Sequence, residues 1–279
     1  MRTILANHKI ASLFLFTASL LLALTASISV AAASDMSYTG QPYDGKENKA
    51  KVQTKVQTAD TFKIGDSTRP SQDAIDVSSY QGNMTANDYQ ILANKGVKSV
   101  IVKLTEGSNY TNPYAINQMK YASQAGLNVN IYHYANFKNK SQAQAEANYL
   151  IKVLKNKGID NKIKIFADME STSTQNDNVA SNLNAFWKVL KNGGYSNHGV
   201  YTYTNYLYRS AVINTVGQKQ TWIAQYPYQP SASNLLHSEF GGWQFSQTAR
   251  IPGGSYTGDL DVSHDYTGLF TGGAGSDPF

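Results

Sequence analysis

The chain of 279 residues contains no cysteine. That absence excludes disulfides, thiolate zinc sites, iron–sulfur clusters and a cysteine nucleophile. Charge is also sparse, with 15% Asp, Glu, Lys and Arg together. No dense Lys/Arg stripe appears, so a pI near 9.1 is not a nucleic-acid signature, although it suits an anionic polymer surface. Only five histidines are present and none has metal-type spacing. No repeat of 20–50 residues appears, so no appended repeat module for binding cell walls is expected. A mean hydropathy of −0.39 excludes a polytopic membrane protein. What the chain does have is 41% hydrophobic residues, enough for a sizeable core, and an unusual number of tyrosines, 19.

The first 33 residues have the pattern of a secretory signal peptide. Arg2, His8 and Lys9 precede an apolar run from Ile10 to Val30, and Ala31-Ala32-Ala33 follows as a small-residue cleavage site. An uncleaved membrane anchor is the alternative reading of the same run. Cleavage removes Arg2 and Lys9 and no acids, leaving 22 basic against 19 acidic residues. Export without cysteine points to a bacterial, Gram-positive exterior. Residues 34–72 read as a flexible linker: Ser, Thr, Gln, Lys, Asp and Gly dominate, and apolar residues are too few to offset ordering entropy. Residues 271–279 form a short Gly-rich tail.

Between these ends, residues 73–270 alternate between β-rich and helical stretches and are expected to form one domain. Strands are predicted at 74–77, 99–104, 129–134, 163–167, 199–204, 221–225, 242–245 and 260–262. Helices are predicted at 88–94, 114–124, 141–156 and 179–191, each stopped by a glycine, and the third opened by a Ser141/Gln144 capping box. The alternation predicts parallel βαβ units. Eight strands predict an α/β fold of the irregular, TIM-like (β/α) barrel kind, with some outer helices missing because the later connections are short.

Polar residues recur where those strands end, the place where a parallel barrel builds its active-site mouth. Asp76, Lys103, Glu106, His133, Tyr134, Asp168, Glu170, Tyr201, Tyr203, Gln225, Gln244 and Asp261 are the instances. The sharpest is FADME at 166–170. Side chains alternate along an extended segment, so Asp168 and Glu170 face the same way and repel. A solvated loop explains such a pair without chemistry. Paired carboxylates for acetal hydrolysis explain it with chemistry, one anion raising the pKa of its neighbour until that group can donate a proton near neutral pH. Asp76, taken alone, reads as a turn cap more readily than as a catalytic group, and Asp261, like its rival Asp259 on the same face, reads alone as structural. Lys103 and Glu106 read either as an ion pair or as substrate contacts, and His133 as a hydrogen-bonding scaffold residue. Tyr132, Tyr134, Tyr201, Tyr203, Tyr226 and Trp243 are candidates for stacking on sugar faces, about half of them core instead.

DVSSYQG (76–82), VKLTEG (102–107), IYHYA (131–135), DME (168–170), WIAQY (222–226) and WQFSQ with GDLDVS (243–247 and 258–263) occur in an order that resembles the glycoside hydrolase family 25 lysozymes, the Chalaropsis-type N-acetylmuramidases. The resemblance covers about 74–266. It implies cleavage of the β-1,4 bond between N-acetylmuramic acid and N-acetylglucosamine in bacterial peptidoglycan. It implies a catalytic quartet of Asp76, Asp168, Glu170 and Asp261, with Glu170 the general acid and Asp168 the group that orients the substrate acetamide or stabilises charge at the sugar. Substrate contacts are then expected from Lys103, Glu106, Tyr132, Tyr134, Tyr201, Tyr203, Gln225, Tyr226 and Gln244. Ser79-Tyr80 stands where the family often has His-Trp. The expectation is a secreted, wall-associated monomer that uses no cofactor or metal and binds no nucleic acid. Two rivals are a non-catalytic peptidoglycan-binding or adhesin protein on the same barrel, and a metal-dependent deacetylase or phosphodiesterase.

Overall fold

Residues 60–279 are described by a computed structural model. The expected signal peptide at 1–33 and the linker up to residue 59 lie outside the described residues. Eight strands close a barrel in the order β2 (Ala74–Val77), β3 (Ser99–Glu106), β5 (Asn128–Tyr134), β6 (Ile165–Asp168), β7 (His198–Tyr203), β8 (Thr221–Ala224), β9 (Gly242–Arg250) and β10 (Leu260–Asp265), which returns to β2. Neighbours pair in parallel except around β10, which runs antiparallel to both β9 and β2, and the short β4 (Tyr110–Thr111) pairs antiparallel with β3 outside this ring. Short strands β2, β6 and β8 are buried along their whole length. Strands covered on both faces are the expected home of near-continuous apolar runs such as IFA and TWIA.

The helices α1 (Ala86–Asn94), α2 (Ala115–Gln124), α3 (Lys140–Asn156) and α4 (Val179–Asn192) cover the outside after β2, β3, β5 and β6, and a short α5 (Arg209–Ile213) follows β7. No helix separates β8 from β9 or β9 from β10, so the barrel is irregular as the short late connections predict. The start of α3 differs from the expectation. Its cap is Asn139, whose side chain accepts from Gln142 N at 3.0 Å, and Ser141 is already inside the helix. Asn is as good a cap as Ser and stands two residues earlier, so it takes the role. Among the described residues no helix is long and apolar enough to cross a membrane.

The structure differs from the sequence reading at both ends of the domain. Residues 60–72, given to the linker in the sequence reading, are part of the folded body. Strand β1 (Phe62–Lys63) pairs in parallel with β9, Phe62 stacks on Phe245 at 6.1 Å, and Ile64 is buried. Arg69 bonds Asp60 at 2.7 Å. Three anchoring side chains in a polar stretch were too few to register as a pattern. At the other end residues 271–279 are laid along the barrel: Val129 N donates to Gly275 O and Asp160 N to Pro278 O, both at 2.9 Å.

Inside, the barrel is divided into two halves. The lower half is an apolar plug. Phe270 enters from the C-terminal segment and its ring lies 5.9 Å from Phe166 and 5.6 Å from Trp222. Its carbonyl accepts from Ser99 Oγ and Asn130 Nδ2. The upper half, at the carboxyl ends of the parallel strands, is polar.

Candidate functional site

Four carboxylates come together in that upper half. Asp76 on β2 and Asp261 on β10 stand directly opposite each other across an antiparallel pairing, so their side chains share a face. Asp261 arrives there because β10 is reversed. It is the second residue of its strand, not the last, and an antiparallel strand presents its beginning at the mouth. The reading that acids cluster at strand ends therefore holds for Asp76 and Asp168 and needs this correction for Asp261. Burial and then Asp259 raise the Asp261 carboxyl to about 7. Burial first, and the charges of Asp261 and Glu170, push Asp76 well up, against one hydrogen bond that pulls it down.

Asp168 closes β6. Met169 turns outward into the core, its N donating to Tyr201 O at 2.9 Å, so Glu170 returns to the same side as Asp168. Asp168 is 5% exposed, and its Oδ1 is buried without a hydrogen-bond partner. Burial and Glu170 push its carboxyl well up, while Lys103 pulls it down. A carboxyl held high by burial and a neighbouring anion is an arrangement that can present an acid beside an anion. Tyr132 sits at the centre of the group: burial raises its pKa first, and all four acids add to the shift.

Gln244 has a different place from the one its sequence context predicts. It is buried, and its Oε1 accepts from both Tyr201 OH (2.8 Å) and Tyr226 OH. Two donors on one oxygen leave the amide only one orientation, with Nε2 donating to Asp76 Oδ2 at 2.7 Å. Gln244 therefore holds Asp76, and Tyr201 and Tyr226 hold Gln244. This is the bond that opposes the upward shift of Asp76.

Other candidates are divided by the alternation of their strands. Lys103 and Glu106 form the ion pair, Nζ to Oε2 2.6 Å, with the ammonium 4.7 Å from the centre of the Tyr134 ring. Tyr203 stands beside Tyr206 and its hydroxyl accepts from Gln175 Nε2 at 3.4 Å. Gln225 is a correction: it meets His237 in the loop after β8, on the opposite side from Tyr226, because successive side chains of an extended segment alternate. Trp243 is fully buried in the outer core and offers no face to a sugar. His133 is scaffold: Thr105 Oγ1 lies 2.8 Å from Nδ1 and Glu146 Oε2 3.0 Å from Nε2. Tyr80 lies in the turn after β2 and is 78% exposed.

The profile of "Glycosyl hydrolases family 25" matches residues 75–254. The chain belongs to this family. The matched stretch contains Asp76, Asp168 and Glu170 and ends before Asp261. The chain is 32% identical over 200 residues to an autolytic lysozyme of Clostridium acetobutylicum, covering 71% of this chain and 57% of that one. It is 27% identical over 189 residues to a lysozyme of Streptococcus phage Cp-7, covering 62% of this chain and 49% of that one. It thus spans about half the length of these relatives. A bacterial lysozyme structure from Streptomyces coelicolor superposes with a TM-score of 0.54 at 22% identity, covering 71% of this chain and 95% of that one, a likeness of fold.

Two residues of this family 25 barrel were not singled out from sequence. Asn136 donates to Glu106 Oε1 at 3.3 Å, beside the Lys103 pair. Asp88, fully buried at the start of α1, accepts from Ser255 N, Ser255 Oγ and Tyr256 N. It thereby ties down the loop that leads into Asp259 and Asp261. Thr85-x-x-Asp88 is a capping-box pattern and was visible. The link to the 251–259 loop was not.

Proposed function

We propose that the chain is a secreted muramidase that cleaves the β-1,4 bond between N-acetylmuramic acid and N-acetylglucosamine in peptidoglycan. The observation that carries this reading is Asp168. A buried carboxylate oxygen without a donor is costly, and here it faces a mouth shared with three more acids. Substrate offers the missing donor in the N–H of its 2-acetamido group. Glu170 then gives a proton to the leaving oxygen and takes one back from water, and Asp168 orients and polarises the acetamide. Asp76 and Asp261 hold a sugar hydroxyl or water. Proton transfer of this kind supplies roughly 10²–10⁴-fold, and the fixed charges around the sugar supply more. Tyr132, Tyr134 and Tyr203 offer ring faces to the sugars, with the Lys103–Glu106 pair at the rim. Tyr201, Tyr226 and Gln244 act through Asp76.

In the same reading the chain works as a monomer on the wall of a Gram-positive cell, after removal of residues 1–33. Mass spectrometry of muropeptides from digested walls tests the bond cleaved: new reducing ends on muramic acid are expected, and reducing ends on glucosamine would overturn the assignment. N-terminal sequencing of the secreted protein tests the processing, with Ser34 as the expected first residue.

A further inference from the structure

The end of the barrel opposite the carboxylates carries a face of unpaired lysines. Helices α3 and α4 both finish there. Gly193, just after α4, is packed so closely on Ile151 of α3 that a Cβ would come within 2.6 Å of its Cδ1. Beyond the helices, Tyr195 OH bonds Ile159 O, and Asn197 Nδ2 bonds Lys162 O at 3.0 Å. These contacts bring Lys152, Lys155, Lys157, Lys162, Lys188 and Lys191 to one corner of the molecule, all exposed. The ion pairs among the described residues all lie elsewhere. Two acids share the corner: Asp160, whose carboxylate accepts from the backbone N of Lys162, and exposed Asp277, brought beside it by the bond from Asp160 N to Pro278 O, and neither forms an ion pair with these lysines.

Helix polarity explains part of the pattern only. Lys155 and Lys191 lie in the last turns of their helices, where a cation offsets the helix dipole. Lys157, the C-cap of α3, stands at the same pole, whereas Lys152, Lys162 and Lys188 have no such partner. Between the helix ends lies an open concavity of about 400 Å³, lined by polar groups that include Asn161, Ser196 and Asn197. Beneath it Lys164 is buried, its Nζ donating to Asn197 Oδ1 (3.1 Å) and Gln220 Oε1 (2.7 Å). Burial lowers Lys164 to about 8, which leaves it mostly charged at pH 7.

We propose that this face is a docking surface for a linear polyol-phosphate polyanion, bound through successive phosphodiester groups and separate from the glycan-cleaving mouth. Lysines three apart on one helix are spaced by about 5–6 Å, and the two helices by roughly 8–10 Å. A flexible chain with one phosphodiester per short polyol unit can match such spacings. Lysine meets phosphate as a point charge and needs no fixed geometry. Nucleic acid fits less well. Single strands bind where aromatic platforms stack the bases. Among the described residues the exposed tyrosines Tyr80, Tyr114 and Tyr228 lie in the connections that follow β2, β3 and β8, at the other end of the barrel, and no arginine occurs between residues 70 and 208. The proposal does not depend on the cleavage reading, since it concerns binding alone.

The test is binding of the full chain to a synthetic poly(glycerol phosphate), across a salt series, for three proteins. One is wild type, one carries Lys152→Gln, Lys155→Gln, Lys188→Gln and Lys191→Gln, and one carries Lys63→Gln, Lys95→Gln, Lys120→Gln and Lys219→Gln. Both variants lose the same charge, and thermal melts establish that they fold. The face variant is expected to bind at least tenfold more weakly at low salt with a shallower salt dependence, the control within about threefold of wild type. Cleavage of a soluble glycan fragment by the face variant should equal that of wild type. Should the fourfold variant not fold, Lys188→Gln with Lys191→Gln alone is expected to weaken binding at least threefold. Equal losses in face and control variants would reduce the effect to net charge and overturn the proposal. So would binding by wild type that is undetectable, or no tighter than to a DNA oligonucleotide with the same number of phosphates.

Discussion

Gln244→Leu tests the internal support of the acids most directly. The substitution keeps the approximate size of the side chain and removes the donor on Asp76 Oδ2 and the acceptor for Tyr201 and Tyr226. A hydrogen bond to a charged group contributes about 1.5–3 kcal/mol. If that loss falls on the ionised form of Asp76, its pKa rises by about one to two units, at 1.36 kcal/mol per unit. The sign follows from the causes at work. Burial and the neighbouring anions already hold the Asp76 carboxyl high, and Gln244 is the one contact that lowers it. If Asp76 is used as an anion, the acid limb of the kcat/KM–pH profile should move up by about one to two units. At a pH below the new limb the rate should fall about ten- to a hundredfold. Wall-clearing rates from pH 4 to 9 measure this, with melts to separate folding from rate. An unmoved acid limb in a folded variant, or one displaced to lower pH, would refute the reasoning.

Glu170→Gln is expected to abolish nearly all turnover while circular dichroism stays native; clearing within tenfold of wild type would remove it from the acid role. Asp261→Asn should cost at least tenfold in glycan cleavage, about 1.4 kcal/mol. Asp259→Asn should stay within about threefold, because Asp259 is half exposed and bound to Arg250 at 2.8 Å; rates on purified peptidoglycan rank the two. The raised carboxyl of Asp261, near 7, means that the folded state holds that proton more tightly than the unfolded chain. Its contribution to stability is therefore greatest in acid and is lost as pH rises from about 4 through 7. Asp261→Asn should then melt higher than wild type at pH 8 and show little gain at pH 4, and a pH-independent difference would contradict this. Phe270→Ala empties the plug and should destabilise by about 3–5 kcal/mol, seen in urea unfolding, while the folded fraction keeps its kcat.

The eight barrel strands were legible because local signals agree with the global fold. Short apolar runs such as Ala74–Val77 and Thr221–Ala224 need burial on both faces, and a glycine after each major helix gives the chain its turn. Gly96 and Gly158 adopt φ of 96° and 67°, values an L residue rarely takes. Asp168 and Glu170 were legible for the same kind of reason, since two like charges on one extended face have no structural use. The ordered ends were not legible. Phe62, Ile64 and Phe270 are single apolar residues in polar or Gly-rich stretches, and only their partners across the barrel show that they pack.

Composition and order alone determined that this is a disulfide-free α/β barrel with acids gathered at strand ends. The side on which each polar residue acts was decided by tertiary structure. Gln225 and Gln244 are both glutamines near strand ends of similar sequence, yet one faces His237 and the other holds Asp76. Asp261 reaches the mouth only because β10 runs backwards, and strand direction depends on which edges remain unpaired when the barrel closes. Periodicity records which faces of a segment are apolar. It carries no record of the neighbour that will lie against the polar face, because that neighbour is chosen by how segments come together in space: His237 is 12 residues from Gln225, and Asp76 is 168 residues from Gln244.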